Sequence, residues 1–202
     1  MKGLNVVFTS LLAATVFSVS ANATPINPSI DMTVRGSSYV VGASDTLADI
    51  RDAYDAGSDL NCNDVSLSNV GLVSGKINCG ARGSNIVTSI SFDFTGAAAD
   101  WSFRLGSDWG RGGAFIVDNQ LEGIYSDDYW WGRNWNSGDV IYTPEVSLES
   151  GFHSIEFIGF EGCCEGGNSL QYSYEGSNWQ TVSLANLSQI AEVPEPSSLA
   201  LF

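Results

Sequence analysis

The chain has 202 residues, 44% of them apolar and only 15% charged, with 22 glycines against 5 prolines. That length supports one domain with a sizeable core, and the composition excludes an intrinsically disordered chain. Acids outnumber bases 23 to 8, a formal charge of −15; such a surface repels phosphate backbones and anionic lipid heads and argues against nucleic-acid binding, while suiting divalent cations or plain solubility outside the cell.

Taken in chain order, Met1-Lys2-Gly3 leads into an apolar run from Leu4 to Val19, and Ala21-Asn22-Ala23 supplies a small-x-small cleavage pattern. Residues 1–23 therefore read as a secretory signal peptide. Its removal takes Lys2 and no acid, leaving the mature chain more negative by one. Residues 24–35, with Pro25 and Pro28, read as irregular, and Tyr39-Val40-Val41 as a short strand. In Thr46–Tyr54 the residues Leu47, Ile50 and Tyr54 recur at helical spacing. Thr46 with Asp49 forms a capping-box pattern and Gly57 offers a stop, so one short helix is expected there.

From residue 64 the pattern turns to strands. Ile86, Thr88, Ile90, Phe92 and Phe94 alternate with Val87, Ser89, Ser91 and Asp93, and Trp101, Phe103 and Leu105 alternate with Ser102 and Arg104. Further strands are expected at 114–117, 121–125, 140–143, 146–148, 153–160, 170–174 and 179–184, with a tight turn at Gly176-Ser177-Asn178. Many short strands divided by Gly, Asn, Asp and Ser turns predict an all-β chain, an antiparallel β-sandwich or jelly roll. No internal repeat or interior linker interrupts it, so residues 24–190 read as a single domain.

Four cysteines, Cys62, Cys79, Cys163 and Cys164, are expected to be oxidised in an exported chain, and they allow three connectivities. Adjacent Cα atoms lie about 3.8 Å apart across a trans peptide, whereas unstrained disulfides want roughly 4.4 Å or more. A Cys163–Cys164 bridge is thus strained. The favoured pairing joins Cys62 and Cys79 one each to Cys163 and Cys164, stapling the amino-terminal segment to the glycine-bracketed loop at 162–167; the vicinal bridge is the alternative. A Cys₄ zinc site would normally show Cys-x₂-Cys pairs rather than abutting thiols.

Nucleophilic catalysis needs a positioned base, and the mature chain holds one histidine, His153, and one lysine, Lys76. His153 stands just before a strand, an ordinary structural position, and no catalytic or phosphate-binding motif accompanies it. No catalytic residue is assigned. The segment Tyr125-Ser126-Asp127-Asp128-Tyr129-Trp130-Trp131-Gly132-Arg133-Asn134-Trp135-Asn136 is richer. Trp130, Trp131 and Trp135 offer faces for sugar C–H surfaces, Arg133 and Asn134 can bond hydroxyls, and Asp127-Asp128 can offer oxygen ligands to calcium. The plainer account is that these tryptophans cover one end of the sandwich.

Three resemblances add to this. Val193-Pro194-Glu195-Pro196-Ser197-Ser198-Leu199-Ala200-Leu201-Phe202 resembles the start of a PEP-CTERM sorting signal, placing that signal at 191–202 without its membrane helix and basic tail. With it, Cys163-Cys164-Glu165-Gly166 resembles the signature of the CCXG family of PEP-CTERM proteins. These imply export, a transient membrane tether, processing by an exosortase-type enzyme at Pro194-Glu195-Pro196, and a destination at the surface or in the exopolysaccharide of a Gram-negative bacterium. Residues 101–184 resemble a PA14-type module through Phe103-Arg104-Leu105-Gly106-Ser107-Asp108, Ala114-Phe115-Ile116-Val117-Asp118-Asn119 and Leu148-Glu149-Ser150-Gly151-Phe152-His153. Members of that fold often bind carbohydrate, some through calcium held by two adjacent aspartates; Ser107-Asp108-Trp109 has one. The expected function is a non-enzymatic surface or matrix protein, glycan-binding and adhesive, associated with extracellular polysaccharide; the alternative is a carbohydrate-active hydrolase using paired carboxylates.

Overall fold

The computed structural model describes residues 27–62, 64–81, 83–162 and 166–191. The segments expected to be the signal peptide and the sorting signal beyond Ala191, together with Cys163 and Cys164, lie outside the described residues. The elements run β1 (Ser29–Gly36), α1 (Leu47–Asp55), β2 (Val65–Ser66), β3 (Val73–Ser74), α2 (Gly75–Asn78), β4 (Ile86–Gly96), β5 (Ala99–Gly106), β6 (Asp108–Trp109) and β7 (Gly113–Val117). They continue through β8 (Gln120–Tyr125), β9 (Tyr129–Trp130), β10 (Val140–Tyr142), β11 (Val146–Leu148), β12 (Gly151–Glu161), β13 (Gly167–Tyr174), β14 (Gln180–Thr181) and α3 (Leu184–Ala191).

The architecture is an antiparallel β-sandwich. One sheet has the order β2-β1-β4-β12-β7-β8. The other runs β10-β5-β13-β14, with β11 added to β5 and β3 to β13. Alternation explains the layering. Ile90, Phe92 and Phe94 of β4, Ile155 and Phe157 of β12, and Phe115 of β7 face inward, where they meet Trp101, Phe103 and Leu105 of β5 and Leu170 and Tyr172 of β13. Aromatic rings dominate the seam: Phe103 lies 5.5 Å from Phe115, and Phe94 lies 4.9 Å from Trp101. The outward positions of the first sheet are apolar too. Val87, Ala114, Ile116, Ile158 and Phe160 bury against Val41 and Ile50, so α1 forms a third layer. Arg51 of α1 reaches across it to Glu156 at 2.5 Å.

The helix at Thr46 follows its sequence signals. Thr46 accepts from the Asp49 N–H at 3.3 Å and Asp49 accepts from the Thr46 N–H at 2.8 Å, the reciprocal capping box. Two further helices were not expected. At 179–184 the strand shrinks to Gln180–Thr181, because Ser183 accepts from Asn186 N–H at 3.1 Å and starts α3, whose Leu187 and Ile190 bury against the core. The region read as irregular forms β1, with Ile30, Met32 and Val34 inward and eight residues paired to β4. Tyr39–Val41 forms no strand; Val41 is held by one bond from its N–H to Arg111 O at 3.0 Å.

The disulfide corrects the expected pairing. Cys62 and Cys79 are joined to each other, their Cα atoms 5.2 Å apart and 17 residues apart in sequence. The reason is local. The excursion through β2, β3 and α2 doubles back, so that Cys79, which caps α2, returns to Cys62 against the same core. The amino-terminal segment is fastened by β2 on β1 and β3 on β13 instead.

The sandwich has two distinct ends. Ser29 pairs with Asp93, and Ile190 packs at Gly96, so β1 begins and α3 ends at one end of β4. Ile86, at the other end of β4, pairs with Glu161. None of the helices among the described residues is long and apolar enough to cross a membrane.

Candidate functional site

At the Glu161 end, the sandwich opens into a groove of about 470 Å³. Its floor is made of strand ends laid side by side. Ser74 of β3 pairs with Gly167 of β13, and Gly166 N–H donates to Asp108 Oδ2 at 3.2 Å. Asp108 in turn pairs with Trp130 through β6 and β9. Leu72, Ile77 and Asn78, beside β3 and in α2, line it together with Trp130, Trp131 and Arg133 of the segment from β9 onward. Such a mixture, an apolar lining with a few convergent polar groups, is the ordinary make-up of a small-molecule site.

The two neighbouring tryptophans have different jobs. Trp131 is 5% exposed, with its N–H bonded to Ser107 O at 3.1 Å and its ring lying flat against Gly106, where any side chain would collide with it. Trp130, 67% exposed, presents its indole to the groove and solvent. The chain then turns back, with Gly132 at φ 60° and Arg133 at φ 58° and the Asn134 N–H donating to Trp131 O at 3.0 Å. A left-handed arginine costs on the order of 1–2 kcal/mol, and strain of this kind concentrates at binding sites. Here it fixes an exposed guanidinium-bearing residue at the groove mouth.

Below the floor lies a charged cluster. Lys76, the chain's one lysine besides Lys2, is 0% exposed, and its Nζ sits 3.9 Å from Glu161 Oε1. Glu161, 3% exposed, accepts from the Gly110 N–H at 2.8 Å through its other oxygen. Burial pulls Lys76 below the usual lysine range, opposed by Glu161 and Asp108. Burial likewise raises the half-buried Asp108 carboxyl, and Glu161 raises it further. Ser107 Oγ and Asn168 Oδ1 are buried nearby on adjoining strand ends and bond to no described residue.

The structure divides the aromatic segment that the sequence singled out. Trp130, Trp131 and Arg133 line the groove. Trp135, its ring 4.9 Å from that of Trp131, does not line the groove but reaches the outer face of the second sheet, where the Arg104 guanidinium lies 4.6 Å from its ring and 4.6 Å from that of Trp179, a double cation–π stack. Asn134 is exposed in the turn, its side chain accepting from the Asn136 N–H at 3.0 Å. Asp127 and Asp128 are exposed in the bend before β9, and among the described residues no three His, Cys, Asp or Glu side chains come together as a metal-binding group. His153 is spent on structure, with Nδ1 at 2.8 Å from Asp118 and Nε2 at 2.7 Å from Glu149 O. Asp108, Lys76 and Glu161 were not picked out as site residues, although a single lysine in so acidic a chain was itself a signal.

No protein-family model and no curated protein matches the chain. Solved structures do. The PA14 sugar-binding domain from an RTX adhesin superposes with a TM-score of 0.53 at 13% identity, over 79% of this chain and 97% of that one. The PA14 domain of the MpAFP antifreeze protein gives 0.54 at 11% identity, over 84% and 94%. The fold is that of PA14 domains. At these identities the likeness is one of fold, and the ligand must be argued from the groove.

Proposed function

We propose that this chain is an exported, non-enzymatic surface or matrix protein that binds a glycan in the groove between Trp130 and Ile77. The observation that carries the reading is the exposed Trp130 ring standing beside the half-buried Asp108 carboxylate in an open groove. A sugar presents an apolar C–H face to an indole and hydroxyls to a carboxylate and a guanidinium, so Trp130, Asp108 and Arg133 supply both halves of its chemistry. The adhesin domain of the same fold is named for sugar binding, which supports the assignment. A hydrolase would use two carboxylates facing each other across the substrate. Among the described residues Asp108 is the one carboxylate lining the groove, while Glu161 is buried beneath it and bonded to Gly110.

The cellular half of the proposal rests on the two terminal signals. Residues 1–23 direct export, residues 24–190 fold as one domain, and Pro194-Glu195-Pro196 is read by an exosortase-type enzyme after a transient membrane tether. The partner in place is extracellular polysaccharide. The test is a glycan array followed by titration calorimetry on the hits. Trp130→Ala is expected to weaken binding at least about tenfold, some 1.4 kcal/mol, with an unchanged melting temperature. Failure of every glycan to bind, or a Trp130→Ala protein that binds as well as the parent, rejects the assignment.

A further inference from the structure

We propose that the Lys76 ammonium is the resident cation beneath the groove floor, so that this groove receives its glycan without a divalent metal. The glycan clause rests on the function proposed above; the cation clause does not.

A fully buried ammonium persists only where carboxylates compensate it. Lys76 is 0% exposed, and Glu161 Oε1 is 3.9 Å from its Nζ. The cluster closes around Gly166. Its N–H bonds Asp108, and a Cβ placed on it would lie 3.2 Å from Glu161 Cγ and 4.0 Å from Lys76 Cγ. Asp108, Glu161 and Lys76 thus converge from three separate stretches of chain onto one glycine. Arg111 adds a second positive charge acting on Lys76, and Asp128 a further negative charge acting on Asp108.

Calcium does not fit this arrangement. The residue following Asp108, where an adjacent aspartate would stand, is Trp109, whose ring is buried against Gly113 and Gly159 and offers no oxygen. Calcium asks for six to eight oxygen ligands, and among the described residues no group of three or more acids assembles here. A fixed ammonium against the same carboxylates repels a divalent ion from the place where it would bind. With its own cation built in, Asp108 is left charge-compensated and free to accept hydrogen bonds from sugar hydroxyls.

The test needs no glycan, so its failure is separable from failure of the binding assignment. Melting curves of the full chain are recorded with EDTA and with millimolar calcium, alongside tryptophan-sensitised terbium luminescence. The wild-type melting temperature is expected to be the same in both, and terbium emission to be unaffected by Asp108→Asn. Lys76→Met is expected to melt roughly 5 °C or more below the parent, because it leaves the buried Glu161 carboxylate uncompensated, and Glu161→Gln in the same chain is expected to recover part of that loss. A wild-type calcium response abolished by Asp108→Asn overturns the proposal, as does a Lys76→Met protein as stable as the parent. Should Lys76→Met not fold, the wild-type comparison with Asp108→Asn decides by itself.

Discussion

Gly106 and Gly159 hold the two inward-facing tryptophans of this end, and each does so by having no side chain. The Trp131 ring lies on Gly106 and the Trp109 ring on Gly159, each inside the volume a Cβ would occupy. Neither glycine has a left-handed backbone, so the requirement is one of close approach alone. Gly159→Ala is expected to lose on the order of 1–3 kcal/mol by overpacking, read from urea melts, with glycan affinity little changed. Gly106→Ala should lose a similar amount and also affinity, because Trp131 anchors the turn that carries Trp130 and Arg133. If the two variants lose affinity equally, Trp131 has no special part in the groove.

Among the elements, α1 tests how far local signals carry. Thr46→Ala should destabilise by about 1 kcal/mol through loss of the N-cap. The bonds from the Thr46 side chain and backbone hold Asp49 below its ordinary value of 3.8. A folded value below the unfolded one gives stability that is present above pH 3.8 and lost as pH falls through the lower folded value. The Thr46→Ala deficit should therefore shrink in urea melts taken below that pH; a constant deficit would mean the Asp49 bonds add nothing. The second element-scale test is the Cys62–Cys79 bridge. It closes 17 residues around α2, and on the chain-entropy model a loop of that size stabilises by about 3 kcal/mol. A double Cys→Ser variant should lose roughly that amount, and glycan affinity with it, since α2 presents Ile77 to the groove.

The same elements show what the sequence made readable. α1 was legible because its capping box and apolar spacing are local, and β4, β5, β12 and β13 because strict alternation marks a half-buried strand. β1 was overlooked, although Ile30, Met32 and Val34 alternate plainly, because Pro25 and Pro28 just before it suggested a loop. α3 was missed because Val182 and Leu184 continue the alternation of β14 across the residue, Ser183, that starts the helix. The disulfide was misassigned because a two-strand excursion that doubles back leaves no periodic trace. In the groove, Trp130, Trp131 and Arg133 were legible as one dense segment. The floor was not, since Ser74, Asp108 and Gly167 meet only through the pairing of β3, β13, β6 and β9.

For the molecule as a whole, the two sheets meet in a continuous aromatic core, with Phe157 stacked 4.8 Å from Phe115 and edge-on to Phe103 at 6.4 Å. Phe157→Ala should cost about 3–5 kcal/mol, visible in the thermal midpoint, and a smaller loss would show that the sheets can close over the gap. The arrangement of the two ends of β4 has a mechanical meaning. β1 begins opposite Asp93, and the groove lies at the Ile86 end, a separation of about 23 Å over the seven residue steps between those two positions. A pull applied to the chain ahead of Ser29, against a ligand held in the groove, would run parallel to β1. Its eight paired positions with β4 are then loaded in shear, all together, rather than peeled apart one after another; a handhold at one end and a rope at the other pull along the grain of the sheet.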